Sequence, residues 1–320
     1  MRILFITSTR VGDAILSTGL LDHLIGRHPG ARVTVACGPA AAPLFEAVPG
    51  LERIIVLRKM VCSLHWPGLW AATSGRVWDA LVDLRGSPMS YLLAARRRWR
   101  IGRARPTEHR VQQLARVLGL EGDPPPPHLW INGEHEEEAR RLIPDGPPVL
   151  AVGPTANWRA KTWPAENFTR LLDRLTSPSG ILPGGRIAIF GRDDERPSAL
   201  GLIDSIPGDR RIDLVGRIGL PAISACLRRS AFYVGNDSGL MHLAAASGVP
   251  TLGLFGPSPA YRYAPWGPLC AVAGTSVPYQ DIFPARFDHR TSGSLMGSLG
   301  VDHAEGAARD LWNRAQEARA

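Results

Sequence analysis

No apolar run in the sequence approaches the roughly eighteen residues that a membrane-spanning helix needs. Cysteine is scarce: Cys37, Cys62, Cys226 and Cys270 are the whole supply. None forms a C-x-x-C pair, and no His/Cys cluster has zinc-ligand spacing, which excludes a disulfide framework and a zinc site. The four are read as reduced core or surface thiols, and no metal site is visible. A G-x-G-x-x-G after the first strand is missing, and so is a Walker A lysine motif. Both absences weigh against a dehydrogenase and a P-loop enzyme. The opening Met-Arg-Ile-Leu-Phe-Ile imitates a signal peptide, but Arg10 and Asp13 interrupt the apolar stretch and no small-residue cleavage pattern follows. A buried first strand is the expectation, and with it residence in the cytoplasm.

What the chain has is a globular composition: 44% hydrophobic and 21% charged residues over 320 positions. That length suits two domains of roughly 150 residues each. The net charge is +8. Arginine supplies most of it, with a dense run at Arg96, Arg97, Arg98, Arg100, Arg103 and Arg105. Such a run is either a solvated face or a contact for an anionic membrane, an acidic acceptor or nucleic acid. Only Trp99 interleaves with these arginines, so nucleic acid is the weakest of the three.

Along the chain, strand and helix signals alternate. Short apolar runs at 3–7, 32–37, 53–57 and 78–84 read as strands, with helices at 15–24 and 44–48 between them. Helix 15–24 carries Ile15, Leu16, Leu20 and Leu24 at helical spacing and stops at His28-Pro29-Gly30. Asp123 and the four prolines after it can be neither helix nor central strand; they read as a stiff extended linker. A charged helix, 134–142, follows. The second half repeats the pattern with strands at 149–152, 186–190, 212–214, 231–234 and 251–255 and helices at 168–175, 220–229 and 240–247. Residues 271–300 read as loops and 303–318 as an amphipathic helix. The fold class expected is α/β, with two doubly wound parallel sheets. The domains are expected at 1–143 and 144–300, with a helix at 301–320 packing back toward the first.

Ligands of open parallel sheets bind at the carboxyl ends of the strands, so the polar residues there are the candidates. Val11-Gly12-Asp13 lies at the first strand-to-helix turn. Gly12 lets the backbone pass close to a ligand. Asp13 either caps the helix or serves as a general base toward a sugar hydroxyl. Asn236-Asp237-Ser238-Gly239, with His242 one turn on, opens a helix whose N-terminus is a ready diphosphate site. The bland alternative there is a capped helix with His242 packed on the sheet. Lys161, after strand 149–152, is either a surface lysine or the neutraliser of a leaving diphosphate. Arg192-Asp193-Asp194-Glu195, after strand 186–190, offers acids to ribose hydroxyls or simply starts a helix.

Taken in order, these segments resemble the heptosyltransferase family of lipopolysaccharide synthesis, glycosyltransferase family 9. The resemblance is carried by the opening strand with Val11-Gly12-Asp13, by Trp78-Asp79-Ala80-Leu81-Val82-Asp83-Leu84-Arg85-Gly86, by Lys161-Thr162-Trp163-Pro164, and by Asn236 to His242 continued in Leu254-Phe255-Gly256-Pro257. It implies a GT-B fold, two Rossmann-like domains facing each other across a cleft, the first binding acceptor and the second the nucleotide-sugar donor. It implies inverting transfer of heptose from ADP-heptose to the inner core on lipid A, with neither metal nor other cofactor. By the same resemblance Asp13 is the base. Lys161, Ser238 and Gly239 meet the donor phosphates, with Asp237 and His242 in the same loop. Asp193 reaches the ribose and Ile218 the adenine. Thr155 and Asn157 stand for the polar pair ahead of the lysine. The Arg96–Arg105 run would then draw the enzyme to anionic lipid or a phosphorylated saccharide. A nucleotide-sugar epimerase on the same fold and a non-catalytic nucleotide-sugar-binding protein are the alternatives.

Overall fold

The computed structural model describes residues 1–58, 65–284, 286–288 and 292–319. Lys59 to Leu64, and Cys62 with them, lie outside the described residues. The chain divides into two compact units, Met1–Asn132 and Gly133–Ala320.

In the first unit the strands are β1 (Arg2–Ile6), β2 (Arg32–Cys37), β3 (Leu51–Val56), β4 (Trp78–Asp83) and β5 (Ala95–Arg100). Its helices are α1 (Val11–Arg27), α2 (His65–Thr73), the single turn α3 (Met89–Leu92) and α4 (Arg110–Ala115). The strands form one parallel sheet in the order β3-β2-β1-β4-β5. Ile3, Leu4, Phe5 and Ile6 are all fully buried, as a parallel strand covered on both faces requires. The order reverses between β1 and β4, so the turns after these two strands open at the switch point, where doubly wound sheets bind ligands.

Two expectations change here. The short helix foreseen at 44–48 is a 3-10 helix at Pro39–Phe45, started by Pro39 in its first turn. Arg96, Arg97, Arg98 and Arg100 of the arginine run lie on a strand: β5 pairs with β4 in parallel register, Arg97 opposite Ala80 and Arg98 opposite Leu81. Because β5 is the sheet edge, its arginines face solvent and the two-residue alternation of a half-buried strand is hidden by like charge. The proline run is not a free tether. It crosses α1 at Gly19, where a Cβ would stand 2.3 Å from the Pro126 carbonyl oxygen, and the His128 N–H donates to Thr18 Oγ1 at 2.9 Å. Leu129 and Trp130 then bury themselves in the first unit.

The second unit holds β6 (Val149–Gly153), β7 (Arg186–Ile189), β8 (Arg211–Asp213), β9 (Phe232–Asn236), β10 (Thr251–Phe255) and β11 (Cys270–Gly274). Its helices are α5 (Gly133–Leu142), α6 (Ala165–Thr176), α7 (Arg196–Ser205), α8 (Leu220–Arg228), α9 (Gly239–Ala246), the single turn α10 (Ala260–Tyr263) and α11 (Val301–Glu317). All six strands are parallel, in the order β11-β10-β9-β6-β7-β8, and the order reverses between β6 and β9. Helix α6 shows why the core forms. Phe168, Leu171, Leu172 and Leu175 recur at helical spacing and are all buried, each contributing about 1.5–3 kcal/mol.

The domain boundary falls earlier than residue 143. Helix α5 packs on α8, and the Arg229 guanidinium donates to the Ile143 carbonyl at 2.7 Å, so α5 belongs to the second unit. In the terminal helix, Ala304, Ala308 and Leu311 of α11 sit in the core of the second unit, against α6, β10 and β11. The stretch read as loops from 271 onward begins with strand β11, which extends the sheet beside β10. Among the described residues, no helix is long and apolar enough to cross a membrane.

Candidate active site

The second unit gathers its polar residues at the reversal between β6 and β9. Asn236, fully buried at the end of β9, fastens the two strand ends together. Its Nδ2 donates to the Pro154 carbonyl at 2.7 Å and its Oδ1 accepts from the Trp163 N–H at 3.1 Å. The loop after β6 is thereby held against the loop after β9. Trp163 anchors that loop from below: its indole N–H donates to the Leu299 carbonyl at 3.0 Å and its ring meets Phe168 edge-on. Two residues ahead of this anchor, Lys161 is presented on the last turn of a 3-10 helix, Arg159–Lys161. Its Nζ donates to Asp237 Oδ2 at 2.5 Å, with side-chain exposures of 19% and 7%. A cation held at a strand-to-helix turn by a nearly buried carboxylate is positioned, not merely solvated.

Helix α9 starts beside this pair. Ser238 occupies its N-cap position in extended conformation, yet the side chain makes no capping hydrogen bond. The first-turn N–H groups from Gly239 onward have no partners within the helix and carry the positive end of its dipole. His242, one turn in, is buried. Thr155 is buried in the loop after β6 and donates to Glu195 Oε2 at 2.9 Å; that oxygen also accepts the Arg192 N–H at 3.0 Å. Asn157 lies exposed two residues further along. Asp193 is exposed after β7 and rests against Gly216, where a Cβ would come within 2.8 Å of its Oδ1. Ile218 follows Gly216 by two residues, half-buried after β8. The second unit thus places Thr155, Lys161, Asp237, Ser238 and Gly239 at the reversal, with Asp193 and Ile218 at the ends of the two strands beyond it.

In the first unit, α1 begins directly after the turn that follows β1. Arg10 is its N-cap and makes no side-chain capping bond, so Asp13 is not the cap but the third residue of the helix. Gly12 precedes it in the first turn. Asp13 Oδ1 accepts from Arg110 Nε at 3.1 Å, and both side chains are largely buried. Arg110 is itself held by Gln113 Oε1 at 2.6 Å. The partner turn, after β4, is built around Asp83. Its carboxylate accepts from the Arg85 N–H at 3.0 Å and from Ser87 Oγ at 2.8 Å. Burial pushes the Asp83 carboxyl above its ordinary range, against the pull of the Ser87 and Arg85 hydrogen bonds. The Arg85 guanidinium stacks over Trp66, its centre 4.8 Å from the ring centroid.

Sequence reasoning passed over several of these. Arg110 stands 97 positions from Asp13, and no local pattern announces such a pair. Glu195, one of the acids read toward a ribose, is used by the fold to hold Thr155 instead. Trp158 joins Phe283 and Phe287 in an aromatic cluster, stacked on one and edge-on to the other, binding the loop after β6 to the segment after β11. Cys37, Cys226 and Cys270 carry free thiols, and burial pushes each up to about 12.

Residues 83–281 match the model of glycosyltransferase family 9 (heptosyltransferase), more than half of the chain. The chain belongs to glycosyltransferase family 9. Among family members it is 24% identical over 304 residues to the lipooligosaccharide heptosyltransferase 2 of Haemophilus influenzae, covering 82% of this chain and 85% of that protein. In structure it is similar to a family 9 glycosyltransferase from Veillonella parvula, with a TM-score of 0.76, 20% identity and coverage of 98% and 97% of the two chains. It is also similar to the Escherichia coli ADP-heptose lipopolysaccharide heptosyltransferase II, with a TM-score of 0.73, 18% identity and coverage of 99% and 100%. The family 9 fold here is GT-B: two α/β units, each a doubly wound parallel sheet. The protein is a glycosyltransferase of the heptosyltransferase family.

Proposed function

We propose that this glycosyltransferase moves a heptose from ADP-heptose to a saccharide of the lipopolysaccharide inner core, with inversion at the anomeric carbon. The carrying observation is the Lys161–Asp237 pair at the start of α9. A diphosphate leaving group develops negative charge as the glycosidic bond breaks. A fixed ammonium and a helix N-terminus aimed at that charge stabilise it without reorganising. Asp237 accepts one of the three ammonium protons and leaves the others for phosphate oxygens. Ser238 and Gly239 border the same phosphates, with His242 behind them. Thr155 and Asn157 line the loop ahead of the lysine, while Asp193 takes the ribose and Ile218 the adenine. The name of the Escherichia coli relative, an ADP-heptose lipopolysaccharide heptosyltransferase, supports the donor class.

On the first unit, Asp13 is the general base. Arg110 engages its Oδ1 and fixes the carboxylate, which leaves Oδ2 to take the proton of the acceptor hydroxyl as it attacks. The exposed arginines of β5, with the exposed Tyr91 and Leu92 beside them, would bring this unit to an anionic lipid or phosphorylated saccharide. The deciding experiment incubates the protein with ADP-heptose and a heptose-deficient core lipopolysaccharide. Free ADP with a mass gain of one heptose on the acceptor supports the reading. Release of ADP without transfer to any core saccharide, or no binding of ADP, sinks it.

A further inference from the structure

Tyr233 lies at the reversal of the second sheet, beside the residues that gather there. It sits on β9, fully buried. Two positions later on the same strand comes Gly235, and Gly153 lies directly opposite on β6. A Cβ at Gly153 would stand 2.2 Å from the Tyr233 hydroxyl, and one at Gly235 would stand 2.4 Å from it. No side chain other than hydrogen fits at either position while the phenol lies where it does. The pair of glycines therefore clears a groove along the sheet, and the phenol runs through it toward the carboxyl ends of β6 and β9.

The hydroxyl at the end of that groove is buried and makes no hydrogen bond to any described residue. The same holds for Ser238 Oγ. An unpartnered buried hydroxyl is unfavourable by about 1–3 kcal/mol, and a protein seldom keeps one, let alone two near each other. Burial drives the tyrosine's proton affinity up, with Ser238 close enough to oppose that and Glu195 near enough to add to it. The Tyr233 hydroxyl thus stays protonated and is available only as a neutral donor or acceptor. Ser238, for its part, declines the capping role that its position at α9 offers.

We propose that Tyr233 is a positioning residue for the donor diphosphate: its hydroxyl donates to Ser238 Oγ, and Ser238 in turn donates to a phosphate oxygen. This rests on the donor reading given above. An anion at the far end would complete the chain of hydrogen bonds that these two buried hydroxyls begin. Each bond in such a chain polarises the next, and the last one ends on a charge. The tyrosine never touches the donor; it acts by turning the serine outward and making it a better donor.

The test is a double-mutant cycle read by titration calorimetry with ADP as the probe: wild type, Tyr233→Phe, Ser238→Ala and the two together. Tyr233→Phe keeps the ring and removes only the unpartnered hydroxyl, so its melting temperature should equal or exceed the wild type's. It should weaken ADP binding by about five- to tenfold, and that loss should vanish in the Ser238→Ala background. Unchanged ADP affinity in Tyr233→Phe overturns the assignment, as does an equal loss with and without Ser238. A wild type that fails to bind ADP removes the donor reading and this inference together; one that binds, with a Tyr233→Phe that binds alike, removes only the inference.

Discussion

Lys161 Nζ and Asp237 Oδ2 lie 2.5 Å apart although 76 positions separate them, and each is held in place by a neighbour in sequence: Trp163 on one side, Asn236 on the other. Removing the lysine leaves a nearly buried aspartate beside the proposed phosphate site, so Lys161→Ala should weaken ADP binding by ten- to a hundredfold, about 1.5–3 kcal/mol. Lys161→Arg should not rescue it, because a planar guanidinium cannot replace a compact ammonium in that geometry. Calorimetry with ADP checks both; affinity equal to wild type in Lys161→Ala removes the lysine from the site.

Asp13 and Arg110 separate chemistry from binding. Asp13→Asn retains a hydrogen-bond acceptor for Arg110 but cannot take a proton. Turnover should fall by roughly a hundredfold or more, with ADP affinity intact. Arg110→Gln should lower turnover less and leave ADP affinity untouched, since it only fixes the carboxylate. Steady-state transfer assays beside ADP titrations distinguish the two. Full turnover in Asp13→Asn would end the base assignment.

Asp83 gives a pH-dependent prediction. Its carboxyl is raised above 3.8 by burial, so its contribution to stability is complete below that range and is lost as pH rises through the raised value. Asp83→Asn mimics the protonated carboxyl, its oxygen accepting from the Arg85 N–H and its amide turned to donate to Ser87 Oγ. The melting temperature of the variant should therefore match wild type near pH 3.5 and exceed it by an amount that grows toward pH 7. A difference independent of pH would contradict this.

The edge strand β5 predicts adsorption to anionic bilayers. Vesicles containing an anionic lipid should bind the protein at low salt, and binding should fall steeply as ionic strength shortens the Debye length to about 8 Å near physiological salt. Replacing Arg96 and Arg97 with glutamine should weaken it, while Tyr91→Ser should weaken it with little change in the salt dependence, since it removes exposed apolar area that a bilayer would cover rather than charge. Binding that ignores salt would return these arginines to a solvated edge.

How much of this the residues announce differs from element to element. The strands β2 and β10 are predicted to the residue, because each is a short, mostly apolar stretch, Val33 to Cys37 and Leu252 to Phe255 at its heart, with proline and glycine turn signals at each end. The loop from Asn236 to Gly239 and the Lys161 turn are legible because each lies immediately after such a strand. Strand β5 is not, since arginine at an edge carries none of the alternation that marks a buried face. Helix α5 carries no signal of the unit it joins, because its surface is nearly all charged, with Ala139 its one buried residue. Arg110 beside Asp13, and Tyr233 beneath two glycines, depend on distances that only the folded chain defines.

The Lys161–Asp237 pair also has a practical consequence. Lysine occurs only at positions 59 and 161 of this arginine-rich chain. Selective isotopic labelling of lysine side chains would give a magnetic-resonance spectrum of two signals, one of them reporting directly on the ammonium beside Asp237. Donor, product and acceptor could then be followed, each through its effect on a single resonance, in a protein of 34.6 kDa whose full spectrum would be crowded. The chain carries its own reporter at the position where the proposed transfer would develop charge.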